Sequence, residues 1–179
     1  DIPQELIISG IFDALTHAIE GYVSPIQNDL VKKYTFETIK VLVEELDNIS
    51  NQKPTTLESL DNIAYASYWA GIIQNHCSTG LAHSIGHQLT GLNISHAKGV
   101  ASFLVPVMKL NSQSSNAYDQ LAENCDFDST VKFIEKIQDL YNKLRPSFDE
   151  GTINKIKNNA TNIINGAKND PTFKTNPVL

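Results

Sequence analysis

The stretch that decides the fold is residues 6–23, which read LIISGIFDALTHAIEGYV. Its apolar residues recur at steps of three and four, which is the spacing of one face of an α-helix. They are Ile7, Ile8, Ile11, Phe12, Leu15, Ala18, Ile19 and Tyr22. Ser24-Pro25 follows, and we expect the helix to end there because the residue before a proline disfavours the helical conformation. This stretch therefore predicts an amphipathic helix.

The same helical spacing continues along the rest of the chain. A second helix is expected to begin at Asn28-Asp29, where the asparagine can cap it. A third is expected over 57–75, and because its apolar positions are mostly small, we expect it to lie inside the bundle. Pro106 is expected to end or kink a later helix. The remaining predictions are helices over 80–88, 96–110, 117–123, 130–144 and 151–166, with Pro146 before the last, and an irregular tail over 170–179.

No stretch alternates apolar and polar residues as a surface strand does, and the chain has no internal repeat. The fold class is therefore predicted to be all-α, a multi-helix bundle, with residues 1–179 forming a single all-helical domain. The sequence contains neither a GxGxxG turn nor a Walker loop, so no nucleotide-binding domain is expected within it. It also begins without methionine, which suggests a fragment of a longer protein.

Composition argues against two classes of partner. The formal net charge is −6 and Lys and Arg are scattered, so binding to nucleic acid or an anionic membrane is not expected. We expect no apolar run to approach the length of a membrane span. The two cysteines, Cys77 and Cys125, are too few for a disulfide framework, which fits a reducing compartment. We therefore expect a cytoplasmic protein.

The histidines suggest a metal site. Residues four apart share a helix face, so Asp13 and His17 would point the same way, as would His83 and His87. A carboxylate with several imidazoles suits a divalent first-row ion such as Fe²⁺ or Zn²⁺. Four of the five histidines fall within 21 residues of one another: His76, His83, His87 and His96.

Each of these residues also has an ordinary alternative. Asp13 can be a charge near a helix start, His17 a half-buried histidine, and a pair such as His83 and His87 also arises by chance on exposed helices. Metalloprotease chemistry is not favoured, since Ser84, not a glutamate, follows the first histidine of that pair. Spacing alone therefore indicates a helical domain with a metal site and does not choose a reaction.

Three motifs together resemble those of the iron-containing, or group III, alcohol dehydrogenases. Residues 13–24, DALTHAIEGYVS, resemble the family's DALTHAIE segment, and residues 80–89, GLAHSIGHQL, resemble its GxxHxxxHxLG segment. His96, followed by LVPVMKLN over 104–111, resembles its PHG…LLPxVMxxN segment, and the tail up to Asn176-Pro177 resembles a late NPR stretch. The resemblance spans nearly all 179 residues.

The resemblance implies the helical C-terminal half of a two-domain, dehydroquinate-synthase-like architecture, whose absent N-terminal domain binds NAD or NADP. It implies a metal, expected to be Fe²⁺ with Zn²⁺ as an alternative, that acts as a Lewis acid toward the oxygen of a small alcohol, diol or aldehyde. It also implies that His87 lines the substrate and nicotinamide side of the cleft, where it either relays a proton or positions the substrate. The implied metal ligands are Asp13, His17, His83 and His96.

Three departures from the family pattern leave alternatives open. The stretch from His87 to His96 looks one residue shorter than the family pattern, Ser95 stands where proline is common, and Ala97-Lys98 replaces the expected glycine. His96 therefore has the least motif support. The alternatives are a zinc-dependent polyol dehydrogenase of the same architecture and a non-catalytic helical domain with relic histidines. We expect the isolated chain to be inactive; its oligomeric state is open, with a homodimer as one option.

Overall fold

The computed structural model of this protein describes residues 2–144 and 148–178, and the side chain of Leu30 is not described. Pro146 and the two end residues of the predicted domain therefore lie outside the described residues. Within those ranges the chain is helical and contains no strand, which confirms the all-α class. The helices are α1 Gln4–Val23, α2 Asp29–Ser50, α3 Leu57–Cys77, α4 Leu81–Thr90, α5 His96–Asn111, α6 Ala117–Asn124, α7 Thr130–Leu144, α8 Glu150–Asn158, α9 Ala160–Asn169 and a 3₁₀-helix, Pro171–Thr175.

Helix α1 is the centre of the bundle and packs against α2, α3, α5 and α6. Its side chains at Ile11, Phe12, Leu15 and Ile19 are fully buried, as the spacing over residues 6–23 predicts. The helix also contains an 18-residue window apolar enough to cross a membrane, so the sequence prediction that no stretch approaches that length was wrong. Since 67% of this window is buried by the rest of the fold, α1 has the character of a core helix.

Helix α3 differs from its prediction. Its buried residues are Ala66, Ala70, Ile73 and Cys77, which form a single stripe, whereas Tyr65 and Tyr68 on other faces are each 65% exposed. The expectation that α3 lies inside the bundle was wrong because small residues permit close packing on every face but do not require it. Only the stripe that meets α1 and α2 is covered.

Three local predictions also change. Residues 151–166 were expected to form one helix, but the chain turns at Asn159 and forms α8 and α9. Helix α5 continues through Pro106 to Asn111, so the expected ending at this proline is wrong and the expected kink stays a prediction. The tail is not wholly irregular, because Asp170 accepts a hydrogen bond from the backbone N–H of Thr172 at 2.9 Å and so caps the 3₁₀-helix.

Helices α4 and α5 cross closely, and this crossing places the residues of the candidate site. A Cβ atom on Gly86 of α4 would lie only 2.5 Å from Cγ2 of Val100 on α5. Val100 is itself fully buried and β-branched, so its side chain has little room to rotate. The absence of a side chain at Gly86 therefore lets the helix that carries His83 approach the helix that begins at His96.

Candidate metal centre

Three predicted ligands from three helices converge on one point. One ligand atom each from Asp13 on α1, His83 on α4 and His96 on α5 lies within 4.8 Å of the other two. Oδ1 of Asp13 is 3.5 Å from Nε2 of His83 and 3.6 Å from Nε2 of His96. Two ligands of a tetrahedral zinc ion with bonds of about 2.1 Å are roughly 3.4 Å apart. The observed separations therefore suit ligands of a single small cation.

Two atoms of this group are buried without a hydrogen-bond partner within the described residues. They are Oδ1 of Asp13 and Nε2 of His83, the same two atoms that face each other. At 3.5 Å they attract each other only electrostatically. A buried polar atom without a partner is costly, and a cation between these two atoms would satisfy both. The donor set, one carboxylate and neutral imidazoles, is also one that Fe²⁺ and Zn²⁺ accept.

Glu20 holds His83 in place from behind. Its carboxylate accepts hydrogen bonds from the backbone N–H of Gly80 at 2.8 Å, from that of Ala82 at 2.7 Å, and from Nδ1 of His83 at 2.7 Å. Burial alone lowers the pKa of His83, but the carboxylates of Asp13 and Glu20 together raise it to about 9. A cation bound at Nε2 would replace the proton there, because a ligating imidazole must be free of it.

His17 lies beside the group but is not one of its three members. Its ring stacks on that of His83, with centroids 4.3 Å apart and planes 18° apart. Two nearly parallel stacked rings cannot both contain one ion in their planes, so coordination by His17 needs its ring to tilt away from His83. Burial lowers the pKa of His17 to about 4, with His83 adding to the effect, so this imidazole is neutral, as a ligand must be.

The shortened loop before His96 nevertheless brings this residue to the group. Asn93 adopts a left-handed conformation with φ of 58°, which asparagine tolerates better than most residues. The backbone N–H of Ile94 then donates to the carbonyl of Leu89 at 3.2 Å and closes the turn. Helix α5 begins two residues later, with His96 as its first residue. The loop is thus tight enough to compensate for the missing residue.

His87 stands at the edge of the group. Its Nδ1 lies 2.9 Å from Oδ2 of Asp170, and its ring is stacked on that of His96 with centroids 5.5 Å apart. The His87 side chain is 40% exposed, so one end of it reaches solvent. His76, the remaining histidine of the sequence cluster, is exposed on α3, with Nδ1 2.9 Å from the carbonyl of Ile72, and is not one of the three grouped ligands.

Two open clefts adjoin these residues and share Gly71 and Gln74. One, of about 680 Å³, is mainly apolar and runs between α1 and α3 past Asp13 and His17. The other, of about 460 Å³, has polar side chains from α3 and the 3₁₀-helix, and includes His87. A small molecule at this junction would meet an apolar wall on one side and hydrogen-bonding groups on the other.

Sequence reasoning missed Glu20 and Asp170. Glu20 lies inside the DALTHAIE stretch, seven residues after Asp13, and therefore shares a helix face with Asp13 and His17. That spacing could have identified it. Asp170 could not have been found in this way, because it lies 83 residues from His87 in sequence and is brought there only by the packing of α9 on α4.

The fold and the converging residues define a helical domain with a candidate metal centre. Residues 7–178 match the Fe-containing alcohol dehydrogenase family, C-terminal part, and the chain belongs to this family as its C-terminal domain.

Similar proteins agree with this assignment. Alcohol dehydrogenase 4 of Schizosaccharomyces pombe is 31% identical over 154 residues, which cover 81% of this chain and 36% of that protein. The 1,3-propanediol dehydrogenase of Citrobacter freundii is 30% identical over 139 residues, 74% of this chain and 36% of that protein. The chain thus spans about a third of the length of these curated relatives.

Solved structures share the fold. The iron-containing alcohol dehydrogenase of Thermococcus thioreducens superposes with a TM-score of 0.86 at 24% identity, covering 99% of this chain and 47% of that one. The sulfoacetaldehyde reductase of Bifidobacterium kashiwanohense, solved in complex with NAD⁺, gives a TM-score of 0.88 at 20% identity, covering 99% of this chain and 47% of that one. At these identities the likeness establishes the fold.

Proposed function

We propose that this chain is the metal- and substrate-binding part of an NAD(P)-dependent dehydrogenase that interconverts small alcohols or diols and aldehydes. The observation that carries the proposal is the convergence of Asp13, His83 and His96 with separations that suit one small cation. We include His17 as a fourth ligand, since its neutral ring already touches His83. Fe²⁺ is the proposed metal because of the family, and Zn²⁺ is the alternative.

The clefts support a small substrate. The apolar cleft along α1 and α3 reaches Asp13, so the carbon chain of an alcohol would lie there with its oxygen at the metal centre. Hydroxyl groups farther along a diol would find partners in the polar cleft beside His87. Both substrate types are represented in the names of the relatives, an alcohol dehydrogenase and a 1,3-propanediol dehydrogenase.

A bound divalent ion would supply Lewis acidity, which makes an alcohol oxygen more acidic or a carbonyl carbon more electrophilic. The carboxylate of Asp13 and the imidazoles of His17, His83 and His96 would hold that ion. His87 donates its Nδ1–H to Asp170, which leaves Nε2 free to accept a proton. Because His87 is partly exposed, it would pass the proton from the substrate oxygen to solvent.

Hydride would be transferred to a nicotinamide bound by another part of the full-length protein, since this chain spans only about a third of its curated relatives. The structure of a relative in complex with NAD⁺ makes NAD a reasonable first cofactor to test. We accordingly expect the 179-residue chain alone to show no turnover of NAD(P)H with alcohols. Cytoplasmic location and a homodimeric state also stay predictions.

Metal content tests the proposal directly. The chain is purified anaerobically without chelators, and metal per chain is measured by elemental analysis for wild type, Asp13→Ala and His76→Ala. We expect about one divalent ion in wild type and in His76→Ala, whose side chain is exposed and is not one of the three grouped ligands, and almost none in Asp13→Ala. No metal in wild type after incubation with excess Fe²⁺ or Zn²⁺ would favour the non-catalytic alternative.

A further inference from the structure

We propose that Glu20 is a positioning residue for the metal centre: its buried carboxylate fixes the ring of His83 so that Nε2 faces Asp13 and His96, and it strengthens that nitrogen as a ligand. The proposal rests on the metal site proposed above. It assigns to Glu20 a role in metal affinity, in addition to any role in the fold.

The geometry places Glu20 and the cation position on opposite sides of one ring. Nδ1 of His83 is 2.7 Å from Oε2 of Glu20, while Nε2 lies 3.5 Å from Oδ1 of Asp13. A carboxylate can only accept, so Nδ1 must carry the hydrogen. Nε2 is then the only nitrogen of His83 that can bind a metal, and it is the one without a hydrogen-bond partner in the described structure.

The ring has little freedom to leave this orientation. The side chains of His83 and Glu20 are only 1% and 2% exposed. Glu20 is itself fixed by two backbone N–H groups at the start of α4, from Gly80 and Ala82. A charged acceptor behind an imidazole raises the basicity of the opposite nitrogen, and loss of such an acceptor commonly weakens metal binding about 10- to 100-fold.

A purely structural role is the alternative explanation, because Glu20 also satisfies the first N–H groups of α4. The chain provides a matched control. Asn176 is equally buried and accepts a hydrogen bond at 3.2 Å from the backbone N–H of Leu81, which lies between Gly80 and Ala82. Its hydrogen bonds run to Leu81, Asn111 and Val178, so Asn176→Ala disturbs the same helix start but not the histidine.

The test compares wild type, Glu20→Gln and Asn176→Ala. Zn²⁺ affinity is measured by competition with a chromophoric chelator, and the free energy of unfolding of each metal-free chain by chemical denaturation. We expect Glu20→Gln to bind Zn²⁺ about 10- to 100-fold more weakly, since the amide lacks the negative charge. Asn176→Ala should be less stable but bind Zn²⁺ as wild type does. The Co²⁺-substituted chain should show a changed visible absorption spectrum only for Glu20→Gln.

A second measurement needs no variant and so does not depend on the folding of Glu20→Gln. In the Zn²⁺-loaded wild-type chain with ¹⁵N-labelled histidine, nitrogen NMR should show His83 protonated at Nδ1 and metal-bound at Nε2. Metal at Nδ1, or Zn²⁺ affinity of a folded Glu20→Gln equal to wild type, would overturn the role of Glu20 and leave the metal site intact. Absence of binding of both Zn²⁺ and Fe²⁺ by wild type would overturn both proposals.

Discussion

Replacing Gly86 with alanine tests whether the crossing of α4 and α5 sets the geometry of the metal centre. The new Cβ would lie 2.5 Å from Cγ2 of the fully buried Val100, whereas ordinary contacts begin near 3.4 Å. To restore an ordinary contact the two groups would have to move apart by about 1 Å, and because Val100 is fully buried we expect the helices to take up this movement. Overpacking of this kind costs about 1–3 kcal/mol. Alanine recovers about 1 kcal/mol through its higher helix propensity.

The matched control is Gly71→Ala on α3, where no atom lies within 4 Å of the added Cβ. It gains the same helix propensity without a clash, so it should stabilise the metal-free chain by about 1 kcal/mol. We expect Gly86→Ala to be less stable than Gly71→Ala by about 1–3 kcal/mol, the overpacking cost alone. Urea denaturation of both chains in the presence of a chelator measures this difference.

Metal affinity gives the functional part of the same test. His83 lies three residues before Gly86 on α4, and His96 lies four residues before Val100 on α5. Separation of the helices moves these two ligands apart, and metal–ligand distances tolerate only about 0.2 Å. Gly86→Ala should therefore bind Zn²⁺ more weakly than wild type. If it matches Gly71→Ala in both stability and Zn²⁺ affinity, the crossing does not control the site.

Three further outcomes are expected. Removal of the metal by a chelator should lower the free energy of unfolding by about 2.7 kcal/mol, compared with the same chain in free Zn²⁺ at 100 times its Kd. A variant that binds no metal should show no such change. Burial acts to raise the pKa of Asp170, but hydrogen bonds from Thr172 and His87 hold it below its usual value. The ionised carboxylate of Asp170 therefore stabilises the folded chain above its unfolded pKa of 3.8, and this stabilisation is lost as pH falls. In urea denaturation, the loss of unfolding free energy caused by Asp170→Asn should accordingly become smaller below pH 3.8. Thermal and urea unfolding should show that Leu104→Ala, at a buried position, costs about 2–5 kcal/mol, while Leu110→Ala on the same helix, 49% exposed, changes stability by at most about 0.5 kcal/mol.

The existence of the helices was predictable because apolar periodicity reflects the face that each helix buries. Residues 6–23 predicted α1 well, since large apolar residues occupy most positions of its core face. Helix α3 was misjudged because its small residues are compatible with burial on any side, and only the packing partners decide which side is covered. The turn at Asn159 separates α8 from α9, which packs on α4. No proline or glycine marks this position, so no local pattern predicted the turn.

The candidate site was predictable to the extent that its residues are local in sequence. Asp13 with His17, and His83 with His87, follow from helical spacing and from motif resemblance. The relation between the two helices does not follow from spacing, and the structure alone reveals that His17 stacks on His83. The resemblance implied His96 as a ligand, and the structure places it in the group with Asp13 and His83. The hydrogen bond from His83 to Glu20 spans 63 residues and depends on the same helix contact.

The balance of charge around His83 explains why these residues are better suited to binding a divalent cation than to a purely structural role in the core. Asp13 and Glu20 bring two carboxylates against His83, and no lysine in the described residues forms an ion pair with either. Buried negative charge is costly unless positive charge lies nearby. A proton on His83 offsets only one of the two charges, whereas a divalent ion at Nε2 offsets both and leaves the imidazoles neutral. Replacing either carboxylate with an amide should therefore weaken binding of a divalent ion, and Asp13 should matter more because, in the proposed site, it would contact the ion directly.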